Sequence, residues 1–155
     1  MKKFRFKLEK YLEVTRRKKE DAERRFAEAT QALEAARQKL AVLLEEMQQG
    51  QRDYAELMKA GKRITVGRLM TYNSFFNWKR RQIEQQQQTI LECQSHRQKC
   101  LEELMKMMSR LKSIEQLKAK RLKEYNDAIL FEEAQMLDEI GLQLYMRQAK
   151  QEEHA

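Results

Sequence analysis

The chain has 155 residues, of which 41% are hydrophobic, 36% charged and only 8% aromatic, with a formal net charge of +8. That balance suits a long amphipathic helix better than a compact core, and it leaves no material for an enzyme's walled pocket. No apolar run approaches the ~18 residues of a membrane span. The basic start through Lys7 has no apolar h-region behind it, so it does not read as a signal peptide, and a cytosolic protein is expected.

There is no proline anywhere in the chain, and two of its four glycines bracket one short break, Gly61 to Gly67. Proline is the residue a helix interior tolerates least. Its absence predicts an all-α fold of two long helices in one antiparallel coiled-coil hairpin spanning 1–155. Helix 1 is expected over about 4–60, the tip over 61–67, and a longer helix 2 over about 68–147. Residues 148–155 read as disordered.

Helix 1 carries a 4–3 apolar spacing through Ala22, Phe26, Ala29, Leu33, Ala36, Leu40, Leu43, Met47, Gly50, Tyr54 and Leu57. Such spacing is a heptad seam. One sub-series, with Ala22, Ala29, Ala36 and Gly50, is mostly small. The other is large. Gly61 suits a left-handed helix cap, and Thr65 suits the N-cap of helix 2.

So short a connection makes the helices antiparallel, and folding about residue 63 pairs positions whose numbers sum to about 126. Gly50 then faces Phe76, Ala36 faces Ile90, Leu43 faces Ile83, Leu57 faces Leu69, and Ala22 faces Leu104. Small against large is what interdigitated packing prefers. Lys19, Lys79, Gln86 and Arg97 fall at or near seam positions, where polar residues fix register at a cost in stability. Bending is expected around Thr15–Lys19 and Gln85–Gln88.

Residues 62–83 contain six basic residues and no acid, with Tyr72, Phe75, Phe76 and Trp78 among them. On a helical wheel Tyr72 and Phe76 point into the seam, and Phe75 lies on its flank. Trp78 falls nearly opposite. Beside Lys79, Arg80 and Arg81 it reads equally as an interface hot spot or as a ring packed under long basic stems. Basic and aromatic interleaving also suits nucleic acid. However, acids interrupt the basic stretch Arg16–Arg25, and it has no Asn to read a base.

Helix 2 outruns helix 1. Its overhang keeps an apolar stripe in Leu122, Ile129, Met136, Ile140 and Leu144, with Leu130 and Leu137 beside it. The same stretch, 124–155, holds eight acids against two bases. A stripe with no partner in the hairpin is frayed or binds another protein.

Nothing here reads as catalytic, and no cofactor, metal or small molecule is implied. There is no GxxxxGK[ST] loop and no nucleophile set around His96 or His154. Cys93, His96 and Cys100 share a helical face, but seven residues separate the thiols by about 10 Å. One tetrahedral ion cannot take both. The cysteines fit a reducing compartment.

Several stretches together resemble the FliJ family of the bacterial flagellar type III export machinery. They are the opening Phe4-Arg5-Phe6-Lys7-Leu8-Glu9-Lys10-Tyr11-Leu12, Tyr54 before the Gly-containing tip, Tyr72-Asn73-Ser74-Phe75 after it, and Glu124-Tyr125 with Asp138-Glu139-Ile140. The resemblance covers nearly the whole chain and implies a coiled-coil stalk similar to the rotor of rotary ATPases. As partners it implies the hexameric export ATPase FliI, the cytoplasmic domain of the export gate FlhA, and FliH and export chaperones beside them. It also implies a cytoplasmic protein held peripherally at the inner membrane, regulating an ATPase and serving flagellum biogenesis and chemotaxis.

The family's gate-binding surface maps near the tip, onto Tyr54 and Phe75, while Gly50, Lys79, Gln82 and Gln86 beside them depart from the family pattern. With the basic and aromatic tip residues the expected gate-facing set is Tyr54, Tyr72, Phe75, Trp78, Lys79, Arg80 and Arg81. The ATPase-facing end maps onto Phe4, Phe6, Leu8, Leu122, Ile129, Met136 and Ile140. The rival readings are the equivalent stalk of a virulence injectisome and, in another class, a nucleic-acid-binding coiled coil.

Overall fold

The computed structural model describes residues 3–59, 61 and 63–154. The expected helix end at Ala60, and Lys62 of the tip, lie outside the described residues. Two helices account for nearly all of the rest: α1, Glu9–Lys59, and α2, Val66–Glu153. They are 51 and 88 residues long. The fold is all-α, with helix 2 the longer. Two compact units are formed, Lys18–Met107 and Met1–Arg17 with Met108–Ala155, and each helix contributes a segment to both.

In the Lys18–Met107 unit the two helix segments run antiparallel along a heptad seam. Burial along α1 follows Ala22, Ala29, Leu33, Ala36 and Leu43; along α2 it follows Lys79, Gln86, Cys100 and Leu104. The contacts keep the expected register. Tyr54 meets Tyr72, Glu46 pairs with Lys79, and Thr30 bonds to Arg97.

Gln86 and Arg97 find partners across the seam, whereas the buried Gln82 Oε1 has no hydrogen-bond partner. Gln86 Nε2 donates to the Ala36 carbonyl oxygen at 2.8 Å, which the small Ala36 side chain leaves open. Arg97 Nε donates to Thr30 Oγ1 at 3.1 Å, and its guanidinium lies 5.0 Å from the Phe26 ring centroid. Thr30 passes its own proton to the Phe26 carbonyl at 2.9 Å. A buried polar group without such a partner costs about 1–3 kcal/mol.

The turn follows the expected chemistry. Gly61 has φ 58°, the left-handed conformation that ends a helix without a Cβ penalty. Thr65 caps α2: the Arg68 backbone N–H donates to Thr65 Oγ1 at 3.3 Å, and the Arg68 and Leu69 N–H groups reach the Thr65 carbonyl. Thr65→Ala should lower stability by about 1 kcal/mol, while Thr65→Ser should not; thermal melts followed by circular dichroism distinguish the two.

The second unit, Met1–Arg17 with Met108–Ala155, corrects the expected start of helix 1. α1 begins at Glu9, not Phe4. Residues 3–8 are non-helical, with a turn at Lys7 and Leu8 and a Glu9 N–H to Phe6 O bond of 3.2 Å. The reason is a change of period. In an extended segment Phe4 and Phe6 point to the same side and Arg5 and Lys7 to the other, whereas a helix would set the two rings about 200° apart. Phe6 packs on Leu12, Leu111 and Ile114, and Phe4 stacks at 5.6 Å on Tyr125.

Within this unit α1 and α2 again pair antiparallel, tied by Glu9–Lys118 at 2.8 Å and Arg16–Glu115 at 3.8 Å. Thr15, where bending was expected, is buried and donates to the Tyr11 carbonyl at 2.8 Å. α2 continues to Glu153, beyond the expected end near 147 and through residues read as disordered. Gln, Ala, Lys and Glu there are good helix formers and no breaker intervenes.

Candidate interaction surfaces

Near the turn, the Lys18–Met107 unit gathers an aromatic group. Tyr54 of α1 meets Tyr72 edge-on at 5.5 Å and Phe76 at 6.0 Å, the latter almost perpendicular at 87°. Phe75 and Phe76 pack at 5.7 Å. Tyr54, Tyr72 and Phe75 are all half-buried. Aromatic pairs of this kind are worth about 0.5–1.5 kcal/mol beyond their burial.

Gly50 is what lets Phe75 settle. A Cβ built there would lie 2.5 Å from Phe75 Cε1. The expected neighbour was Phe76, but with no side chain at Gly50 the flanking Phe75 ring swings in over the α1 backbone instead. A shallow depression remains between Gly50, Asp53, Thr71, Tyr72 and Phe75.

Removing the glycine tests this. Gly50→Ala gains about 1 kcal/mol of helix propensity but displaces the ring at about 1–3 kcal/mol, so no net stabilisation is expected. Gly141→Ala, with nothing within 4 Å, should gain about 1 kcal/mol. Thermal melts of the two variants side by side decide it, and a clear rise for Gly50→Ala would contradict the packing.

The basic residues of the tip do not act alike. Trp78 is 56% exposed, and Arg80 and Arg81 are exposed too. Lys79 is not. It is buried, forms an ion pair with Glu46, and sits 5.3 Å from the Trp78 ring centroid and 5.7 Å from that of Phe75. Lys79, expected both near the seam and in the gate-facing set, is thus a seam residue. Sequence reasoning missed Glu46, although its place on α1 almost opposite Lys79 in the expected register could have signalled it.

At the other candidate surface, in the Met1–Arg17 and Met108–Ala155 unit, Phe4, Phe6, Leu8, Leu117, Arg121 and Tyr125 line an open groove. Leu8 and Leu122 are partly exposed at its side. Farther along α2, Ile129 is half-buried. Met136 and Ile140 are exposed, as are Leu130, Leu137 and Leu144 beside them. From residue 130 to 154 every described residue is exposed. That is a long helical face whose apolar residues no described residue covers.

Among the described residues no three His, Cys, Asp or Glu side chains are grouped to hold a metal ion. Cys100 Sγ lies 3.7 Å from His96 Nε2, a contact within one helix. No described helix is long and apolar enough to cross a membrane.

The family described as flagellar FliJ protein matches residues 4–150. No curated protein matches the chain, and no solved structure does. The match runs from the Phe4 segment through the turn and along nearly all of α2. The chain therefore belongs to the flagellar FliJ protein family, whose role lies in flagellar protein export.

Proposed function

We propose that the chain is a non-enzymatic stalk of the flagellar export apparatus. It joins the export ATPase FliI to the cytoplasmic domain of the gate FlhA and assists export chaperones, with FliH nearby, in the cytoplasm at the inner membrane. The observation that carries this reading is the exposed apolar face of α2 from residue 130 onward. A helix that holds apolar side chains in water over this length is stabilised when a partner covers them.

The aromatic group around Tyr54, Tyr72 and Phe75 supports a second contact. Half-buried rings that are already ordered lose little side-chain entropy on binding. Division of labour follows: the apolar face and the Phe4–Leu8 segment serve the ATPase, and the rings of the tip serve the gate.

The test is binding and hydrolysis with purified FliI. The full chain should bind FliI and stimulate its ATPase. Removing residues 130–155 should weaken that binding by at least about tenfold, the scale of losing a hot-spot cluster, and leave FlhA binding in place. Phe75→Ala should do the reverse. Salt-sensitive binding to duplex DNA with no effect on the ATPase would sink the proposal in favour of a nucleic-acid-binding coiled coil.

A further inference from the structure

On the first four turns of α2, in the Lys18–Met107 unit, the side turned away from α1 has an unusual composition. Val66 is 72% exposed, Met70 65% and Trp78 56%. At 100° per residue, Val66, Met70, Trp78 and Arg81 fall within one third of the helix circumference. Arg63, Arg80 and Arg81 are exposed; Arg80 flanks that third, and Arg63 lies just before the helix, whereas Arg68, also exposed, falls on the seam side.

No acid occurs between Arg63 and Ile83. The acids of α1 opposite this stretch include Glu46, which is engaged by Lys79, and Asp53, which accepts a 3.0 Å bond from Gln49 Nε2. From Arg63 to Ile83 the arginines therefore have no acid within their own stretch of chain. The aromatic group around Tyr54 and Phe75 lies on the seam side of the helix, so this face, although it holds the Trp78 and Arg81 that the sequence grouped with the gate, is separate from the rings proposed above as the gate contact.

We infer that this face docks onto an anionic lipid bilayer. Charge complementarity selects the partner. Arginines at either end of this face, Arg63 before the helix and Arg80 and Arg81 about 20 Å along it at ~1.5 Å per residue, match a surface of dense, laterally continuous negative charge. Single apolar side chains standing between them have no groove to fill. They suit the headgroup–acyl boundary, where Trp and isolated aliphatic side chains are buried a few ångströms deep beside basic residues. The attachment is interfacial and reversible, because the apolar area is small and most of the attraction is electrostatic. It does not depend on which protein the tip or the far end of α2 meets.

The chain carries its own reporter, since Trp78 is its single tryptophan. The full-length protein is mixed at low ionic strength with vesicles of phosphatidylcholine alone or of phosphatidylcholine with phosphatidylglycerol. Binding is read by co-sedimentation and Trp78 emission. With anionic vesicles the emission should shift to the blue and the protein should sediment. Neither should occur with the neutral ones, and added salt should reverse both.

Arg80→Gln with Arg81→Gln should weaken binding about 25-fold, at about fivefold for each arginine near the surface. Arg17→Gln with Lys18→Gln, a basic pair far from the tip in sequence, should leave the Trp78 shift unchanged. Circular dichroism checks that both variants keep their helices.

Three results would overturn the inference. One is no shift with anionic vesicles. Another is equal binding to both vesicle types. The third is tight binding to heparin or duplex DNA without any Trp78 shift on vesicles, which would assign the face to a soluble polyanion instead. Because the vesicles contain no protein, each result is independent of whether the gate binds the tip.

Discussion

Leu12→Ala should destabilise the Met1–Arg17 and Met108–Ala155 unit by about 3 kcal/mol, the middle of the range for a buried leucine. Leu12 is the one large side chain with no exposure at all among the described residues. Its surroundings explain why. A seam between two helices leaves even its best-buried positions partly open, and Leu33, Leu43 and Leu104 retain 4–9% exposure. At Leu12 a third element closes the gap, because Phe6 packs onto the cluster of Leu12, Leu111 and Ile114.

Truncating Leu12 therefore leaves a cavity that two rigid helices and one ring cannot collapse around. Phe6→Ala should act in the same direction but less strongly, opening Leu12 to water rather than removing it. Leu122→Ala, at a partly exposed position, should be close to neutral. Hydrogen exchange over residues 9–17 and denaturant melts measure all three. Equal losses for Leu12→Ala and Leu122→Ala would show that the cluster is no tighter than the rest of the seam.

This cluster also marks where the sequence was legible and where it was not. The helical part is periodic, so the heptad read from Ala22 to Leu57 reappears as the pattern of burial. Gly61 and Thr65 announce the turn because each residue type has one backbone task there. The Phe4–Lys7 segment misleads for a specific reason. Its apolar–basic alternation is a period of two lying directly before a period of 3.5, and four residues are too few to stand out from a helical start.

Gly50 shows a different limit. A heptad register fixes which turns oppose each other, but not which of two adjacent rings fills a vacancy. Phe75 rather than Phe76 enters because the missing Cβ lies on its side of α1. The exposed face of α2 was legible as a stripe, since spacing alone places Met136, Ile140 and Leu144 together. Its occupant was not legible, because periodicity describes one surface of an interface and says nothing of the other.

Glu46→Ala should cost about 2 kcal/mol, and Lys79→Leu should leave stability unchanged or raise it by about 1 kcal/mol. The asymmetry comes from desolvation. Lys79 is 6% exposed, and its ammonium is held by Glu46 with the Phe75 and Trp78 rings beside it. Removing the carboxylate strands a buried charge, whose full cost is about 3–5 kcal/mol. Glu46 is half exposed, so water reaches the gap and lowers that figure. Leucine at position 79 restores an apolar seam residue and removes the charge altogether.

What Lys79 contributes in return is register. Among the described residues it is one of four polar links between α1 and α2 in its unit, with Gln86 to Ala36, Arg97 to Thr30 and Arg25 to Glu103. Together the charged links favour one alignment, because a slip of one heptad would set Lys79 against Lys39 in one direction and Arg97 against Arg37 in the other. Replacing Lys79, Gln86 and Arg97 together by leucine should therefore give a more stable protein with a less unique alignment, seen as extra or broadened amide resonances at the tip. The single Lys79→Leu variant also separates two roles for the residue. If Lys79 acts only as a lock, FlhA binding should survive its loss. A fall in that binding while stability rises would make Lys79 a contact residue after all.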